Sequence, residues 1–153
     1  MYLLDTNVIS ELRKPQADKN VLAWARSVPA PSLYLSAITV LELETGVLRF
    51  ERKDLAQGSR LRAWLDNHVM PAFAGRILAV DRAVALRCAR LHVPDRSNEC
   101  DALIAATALV HGLTVVTRNV TDFRGSGVAL LDPWSNQSPP RQANRALGNV
   151  DPR

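Results

Sequence analysis

Four carboxylates stand at positions where chemistry is expected: Asp5, Glu42, Asp101 and Asp122. Each adjoins a short apolar run, and neither cysteine has a partner at metal-ligand spacing. Acids brought to one place repel each other, so either their pKa values rise or a cation sits among them. A set of oxygen donors without histidine or cysteine suits hard ions such as Mg2+ or Mn2+. Such ions organise phosphoryl transfer by activating water and stabilising the attacking and leaving oxygens.

Taken singly, each acid has a plainer reading. Asp5 can cap a first helix. Thr39-Val40-Leu41-Glu42 fits a capping box, with Glu42 reaching back to the Thr39 amide. Asn98 to Asp101 and Asn119 to Asp122 place an acid at the same third position, where a helix N-terminus favours negative charge. The joint pattern argues for more than capping. Asp101 leads Ala102-Leu103-Ile104-Ala105-Ala106, so apolar a helix that its first acid is expected to face a buried crevice.

The elements that position these acids follow from periodicity. Tyr2-Leu3-Leu4, Leu33 to Ser36, Arg76 to Val80, Leu113 to Thr117 and Val128 to Leu131 read as five short strands. Helical spacing links Val8, Ile9 and Leu12, with Pro15 as a stop, and Asp18 can cap the next helix. Thr39 is expected to open a helix through Val40, Leu43 and Val47, with Glu42 in its first turn. Gln57-Gly58-Ser59 reads as lying in or beside a helix–helix turn, before a helix that ends at Pro71. Asp81 reads as an N-cap, Val93 to Glu99 as a polar loop, and Gly112 as the stop of a helix from Asp101 to His111. Strands alternating with helices predict an α/β fold whose parallel sheet is covered on both faces. Ligand crevices in such sheets lie at the carboxyl ends of the strands, where Asp5, Glu42 and Asp122 fall.

The bulk properties fit this picture. A chain of 153 residues, 47% of them hydrophobic, suits one domain. Met1 is followed at once by Tyr2-Leu3-Leu4-Asp5 without a basic leader, and no apolar run reaches the ~18 residues of a membrane span, so neither export nor membrane insertion is expected. Cys88 and Cys100 are then expected as reduced thiols in the cytoplasm. The net charge is +4, and with Lys14, Lys19 and Lys53 the only lysines, nearly all of the 19 basic residues are arginine, which favours bidentate phosphate contacts. A basic body around an acidic pocket draws a polyanion and holds cations at one spot. Residues 135–153 are polar and rich in proline, and are expected to be disordered in isolation, leaving 1–134 as the domain.

At these residues the chain resembles PIN-domain nucleases. The motifs are Leu3-Leu4-Asp5-Thr6-Asn7-Val8-Ile9-Ser10-Glu11, then Leu35 to Leu43 followed by Gly46, then Asp101 to Ala108, then Thr117 to Phe123. The match is best to VapC-type toxins of the FitB-like branch, which share a Gly75-Arg76-Ile77-Leu78 stretch and a Pro133-Trp134 ending. The resemblance implies a three-layer α/β/α fold with a five-stranded parallel sheet. It implies an Mg2+- or Mn2+-dependent endoribonuclease, the toxin of a toxin–antitoxin pair. It also implies a homodimer, inhibited by a small antitoxin that itself binds operator DNA. Its catalytic acids map onto Asp5, Glu42, Asp101 and Asp122, with Asp5, Asp101 and Asp122 as metal ligands. Thr6 and Asn119 match supporting positions, and the stretch Arg96 to Cys100 departs from the family by its polarity. In the implied mechanism Glu42 completes the shell or helps deprotonate a water, which attacks the phosphodiester in line and leaves a 5′-phosphate and a 3′-hydroxyl.

Other residues are read more plainly. Arg118 and Arg124 flank the fourth motif, where phosphate contact and simple surface charge are both open. Glu44, the rival of Glu42, points about 200° away from it around a helix. Glu11 is read as solvated, Asp132 as a turn residue, and His68, His92 and His111 as surface or helix-end groups. Trp24, Trp64 and Trp134 are read as core or interface groups. A haloacid-dehalogenase-type phosphatase also starts with a strand ending in Asp, but Asn7 stands where its second Asp belongs. The other alternative is a non-catalytic PIN fold that acts only by binding its antitoxin and DNA; four intact motif acids argue against it.

Overall fold

Tyr2 to Leu4 form β1, whose residues alternate between two apolar layers, Leu4 facing one and Leu3 the other. This is the strand pleat at work, and it forces a sheet buried on both sides. The structure, a computed structural model, describes residues 1–135. The remaining strands are β2 (Leu33–Ser36), β3 (Ile77–Leu78), β4 (Thr114–Val116) and β5 (Leu130–Leu131). They form one parallel five-stranded sheet in the order β3-β2-β1-β4-β5. The chain fills one side of β1 first and then the other, so the switch point lies between β1 and β4. Crevices open at such switch points. The reading of residues 135–153 as a disordered tail falls, beyond Ser135, outside the described residues.

One face of the sheet carries α1 (Thr6–Arg13), α2 (Lys19–Ser27), α3 (Ala37–Lys53) and α4 (Leu55–Trp64). Helix α4 runs on through a π turn, Leu65–Val69, into α5 (Met70–Ala72). Their buried side chains, among them Val8, Val21, Val47 and Leu65, pack on Leu4, Leu35 and Val116. All three tryptophans pack at the margin of this layer, as expected of core groups. The opposite face is covered by α6 (Arg82–Leu91) and α7 (Glu99–His111), with α8 (Val120–Phe123) between β4 and β5. Asp18 and Asp81 cap α2 and α6 through their side chains, and Gly112 ends α7 in the left-handed conformation, φ 66°.

Several boundaries differ from the sequence reading. Helix α3 starts two residues before Thr39, because the Ser36 hydroxyl takes the N-cap and accepts from the Ile38 amide at 3.0 Å. Thr39 is instead buried in the first turn, so the Thr39–Glu42 capping box does not form and Glu42 sits in the second turn. Strand β3 is shorter than Arg76 to Val80, covering Ile77–Leu78, and just before it the Arg76 guanidinium donates to the carbonyls of Ala30, Leu33 and Ala72 and pins the entry to β2. Glu11 is not solvated: it is 8% exposed and accepts from the Asp18 amide at 2.9 Å and from Lys14 at 2.7 Å, tying α1 to α2.

Gly58 also lies elsewhere than expected. The break between α3 and α4 is at Asp54, which caps α4, and Gly58 is inside that helix. A Cβ there would lie 2.5 Å from the Glu51 Cα, so only glycine lets α3 and α4 approach this closely. Gly58→Ala is expected to lower stability by about 2 kcal/mol through overpacking, despite alanine's better helix propensity. Urea denaturation checks it, and an unchanged or raised midpoint would contradict the close approach.

Candidate active site

The carboxyl edge of the sheet collects the groups singled out by sequence. Asp5 follows β1 directly, its amide bonded to the Val116 carbonyl at 2.9 Å, so the sheet itself fixes it beside the end of β4. It is 7% exposed. One carboxylate oxygen, Oδ1, accepts from the Thr6 amide at 2.8 Å, which is also the cap of α1. The other, Oδ2, accepts from the Thr117 hydroxyl at 2.8 Å and from the Asn7 side-chain amide at 3.4 Å. The same carboxylate thus caps α1 and stands in the candidate site.

Glu42 projects from α3 toward β1, and its Oε1 accepts from the Thr6 hydroxyl at 3.1 Å. Thr6 thus touches two acids, one through its backbone and one through its side chain. Asp101 is the third residue of α7, behind the Asn98 cap, whose Oδ1 accepts the Asp101 amide at 3.1 Å. Asp122 is the third residue of α8 and exposed.

Electrostatics tie these acids together. Burial raises the Asp5 carboxyl above its ordinary range, hydrogen bonds from Thr117 and Thr6 oppose the rise, and the charge of Asp122 adds to it. Burial also raises Glu42, with the Thr6 hydroxyl opposing and the charges of Asp5 and Asp101 adding. Asp101 is raised by burial and then by Asp5 and Asp122. Asp5, Glu42 and Asp101 are each raised further by the charge of at least one other acid of the set, as an acidic crevice requires. Among the described residues, however, no three His, Cys, Asp or Glu side chains are closed into a ready-made cation shell.

The rival and supporting residues separate clearly. Glu44 is engaged elsewhere, by a bidentate pair with Arg62 at 2.7 and 2.9 Å that joins α3 to α4. Asn119 enters the network by its backbone amide, which donates to Thr117 Oγ1 at 3.0 Å; its side chain does not cap α8. Arg118 is exposed and lies over the Trp134 ring at 5.3 Å, while Arg124 lines a cavity beside Asp101 and Asp122.

Two residues of the network were not singled out from sequence. Thr117 is fully buried and links Asp5, Asn7 and the backbone of Asn119. Asn7 spans Asp5, Thr117 and the Arg118 amide, the last at 3.4 Å. The signal was present in the register: Leu4 pairs with Val116, so the next residues, Asp5 and Thr117, end neighbouring strands together.

The comparisons with known proteins identify the family. A family model described as the PIN domain matches residues 2–124. The chain is 42% identical over 142 residues to toxin FitB of Neisseria gonorrhoeae, covering 88% of this chain and 99% of that one. It is 39% identical over 142 residues to VapC ribonuclease Y4jK of Sinorhizobium fredii, covering 88% and 98%. The crystal structure of FitAcB from Neisseria gonorrhoeae superimposes with a TM-score of 0.81 at 41% identity, over 88% of this chain and 99% of that one. A structure of FitAB bound to the IR36 DNA fragment gives 0.79 at 37% identity, over 90% and 99%. With the family model spanning most of its length and FitB matched end to end, the chain belongs to the PIN-domain family, among its VapC- and FitB-type members.

Proposed function

We propose that the chain is a metal-dependent endoribonuclease, the toxin of a type II toxin–antitoxin pair. In this reading it works in the cytoplasm as a homodimer, is held inactive by a small antitoxin, and meets operator DNA only through that antitoxin. The observation that carries the reading is the Asp5 carboxylate, fixed by Thr6 and Thr117 at the switch point, with its charge acting on Glu42 and Asp101 and the charge of Asp122 acting on Asp5 and Asp101. The names of the relatives, a toxin and a ribonuclease, support the class of activity. Among the described residues no helix is long and apolar enough to cross a membrane.

The donor set fits Mg2+ or Mn2+: the four acids offer only hard oxygens, and their mutual repulsion is what a divalent cation relieves. The open arrangement is compatible, because Mg2+ keeps several waters and takes one or two carboxylates directly. Asp5, Asp101 and Asp122 would hold the ion, directly or through water. Bound there, the ion supplies an activated water and stabilises the charge on the phosphate oxygens. Thr6 and Thr117 hold Asp5 in one rotamer. Glu42, raised by burial above the ordinary carboxylate range and so a stronger base, accepts the proton of the attacking water. The basic surface outside the cluster holds the RNA backbone.

A carboxyl whose folded pKa exceeds its unfolded one destabilises the fold above the folded value, and the penalty is recovered as pH falls through that value toward the unfolded one. The cation-free protein should therefore recover stability at these three groups as pH falls from neutral toward the ordinary carboxylate range, where Asp5, Glu42 and Asp101 take up protons. At neutral pH, Mn2+ well above its Kd should raise Tm by roughly 5 °C or more. Asp101→Asn should raise Tm without Mn2+ and abolish most of the Mn2+ increment. An unchanged Tm with Mn2+ in the wild type favours the non-catalytic binding module instead. Thr117→Val, isosteric and buried, should lower the cleavage rate about 10- to 100-fold, as losses of groups that orient metal ligands do. Single-turnover cleavage of RNA measures it; a wild-type rate would remove Thr117 from the machinery.

A further inference from the structure

A cavity of about 330 Å3 opens between the loop after α6 and the loop after α8. Asp101 and Asp122 form part of its wall, so it is continuous with the acid cluster. Its volume lies at the small end of ligand pockets, the scale of a single nucleoside rather than a longer segment. Val93 and Pro94 give it exposed apolar surface, and beyond Asp101 and Asp122 its wall carries Asp95 and Arg124, one charge of each sign. Neither the Asp95 carboxylate nor the apolar surface serves the catalytic steps described above.

We infer that this cavity is a base subsite, which takes the nucleoside next to the scissile phosphate and selects bases that carry an amino group over uracil. The inference rests on the nuclease reading and adds a specificity determinant to it. A divalent cation held at Asp101 and Asp122 would draw a phosphate there and leave its neighbouring nucleoside at the mouth of this cavity. Unpaired RNA bases are recognised by apolar contact on their faces and hydrogen bonds on their Watson–Crick edges. An ionised carboxylate only accepts hydrogen bonds. Asp95 therefore pairs with the amino groups of adenine, cytosine or guanine, and finds at most a ring N–H on uracil, beside two carbonyls that repel it. Arg124 offsets the negative charge of Asp95 and can hold the next phosphate.

Short single-stranded RNAs randomised around one bond test the inference, cut by the full chain with Mn2+ and read by sequencing the 5′-phosphate ends. The wild type should favour A, C or G over U by about tenfold at one position flanking the cut. Asp95→Asn should reduce that preference to threefold or less. Val93→Trp, at the exposed mouth of the cavity, should also reduce it while thermal unfolding stays as in the wild type. Equal use of all four bases at every flanking position, or a wild-type preference in Asp95→Asn, would overturn the subsite. If the wild type cuts no RNA with Mn2+, the nuclease reading fails, and binding then decides the cavity. Pentameric oligoadenylate or oligocytidylate should bind the full chain about tenfold tighter than oligouridylate, with the difference lost in Asp95→Asn; equal binding would overturn it.

Discussion

Asp5→Asn is expected to lower RNA cleavage on the order of 10³-fold while leaving the fold intact, as the loss of one preorganised charge in an active site does. The substitution keeps the shape of the side chain and the acceptor for the Thr6 amide, so the cap of α1 survives. What changes is the other oxygen, Oδ2, where Thr117 and Asn7 both donate. An amide nitrogen there sets donor against donor and carries no charge to hold a cation. The fold tolerates the change because a buried charge, raised in pKa by its burial, disappears with it. Single-turnover cleavage with matched circular dichroism checks both halves. A variant that folds and keeps full metal-dependent cleavage would contradict the mechanism.

Glu42→Gln is expected to lower kcat on the order of 10²-fold, the low end of what a positioned general base contributes. Glu44→Gln, two residues away on the same helix, should leave kcat within a factor of two. The contrast comes from what each carboxylate faces. Glu42 meets Thr6 and the charges of Asp5 and Asp101. Glu44 meets Arg62, whose guanidinium holds its carboxyl below the ordinary range. That pair is partly exposed and screened by solvent, so its loss should lower stability only slightly. Loss of activity in Glu44→Gln without loss of stability would reverse the assignment.

The strands and their polarity were legible in the sequence because each is a short apolar run followed by a polar stop, and the alternation with helices forces a parallel sheet. The acids were legible for a related reason: Asp5 and Asp122 follow β1 and β4, and Asp101 leads the most apolar helix. Local competition for helix caps was not. Ser36 and Thr39 are both good caps, and which one wins depends on Thr39 being buried against β1, its hydroxyl 3.5 Å from the Leu4 carbonyl. Glu11 reads as surface until Asp18 and Lys14, brought to it by the α1–α2 turn, cover it. Gly58 looks like a turn residue because helix-breaking propensity and close helix packing call for the same amino acid. Thr117 was missed as a site residue because its role exists only across strands. The pairing of β1 with β4 places it beside Asp5, which lies 112 positions away in the chain.

The central claim, that the Asp5 cluster hydrolyses RNA with a divalent ion, is tested most directly by the ends it leaves. Purified protein should cut single-stranded RNA with Mg2+ or Mn2+, stop on chelation, and leave 5′-phosphate and 3′-hydroxyl termini, since water is the nucleophile. A cut that persists in chelator, or that leaves a 2′,3′-cyclic phosphate and a 5′-hydroxyl, would mean that the ribose hydroxyl attacks instead, and the account would be wrong.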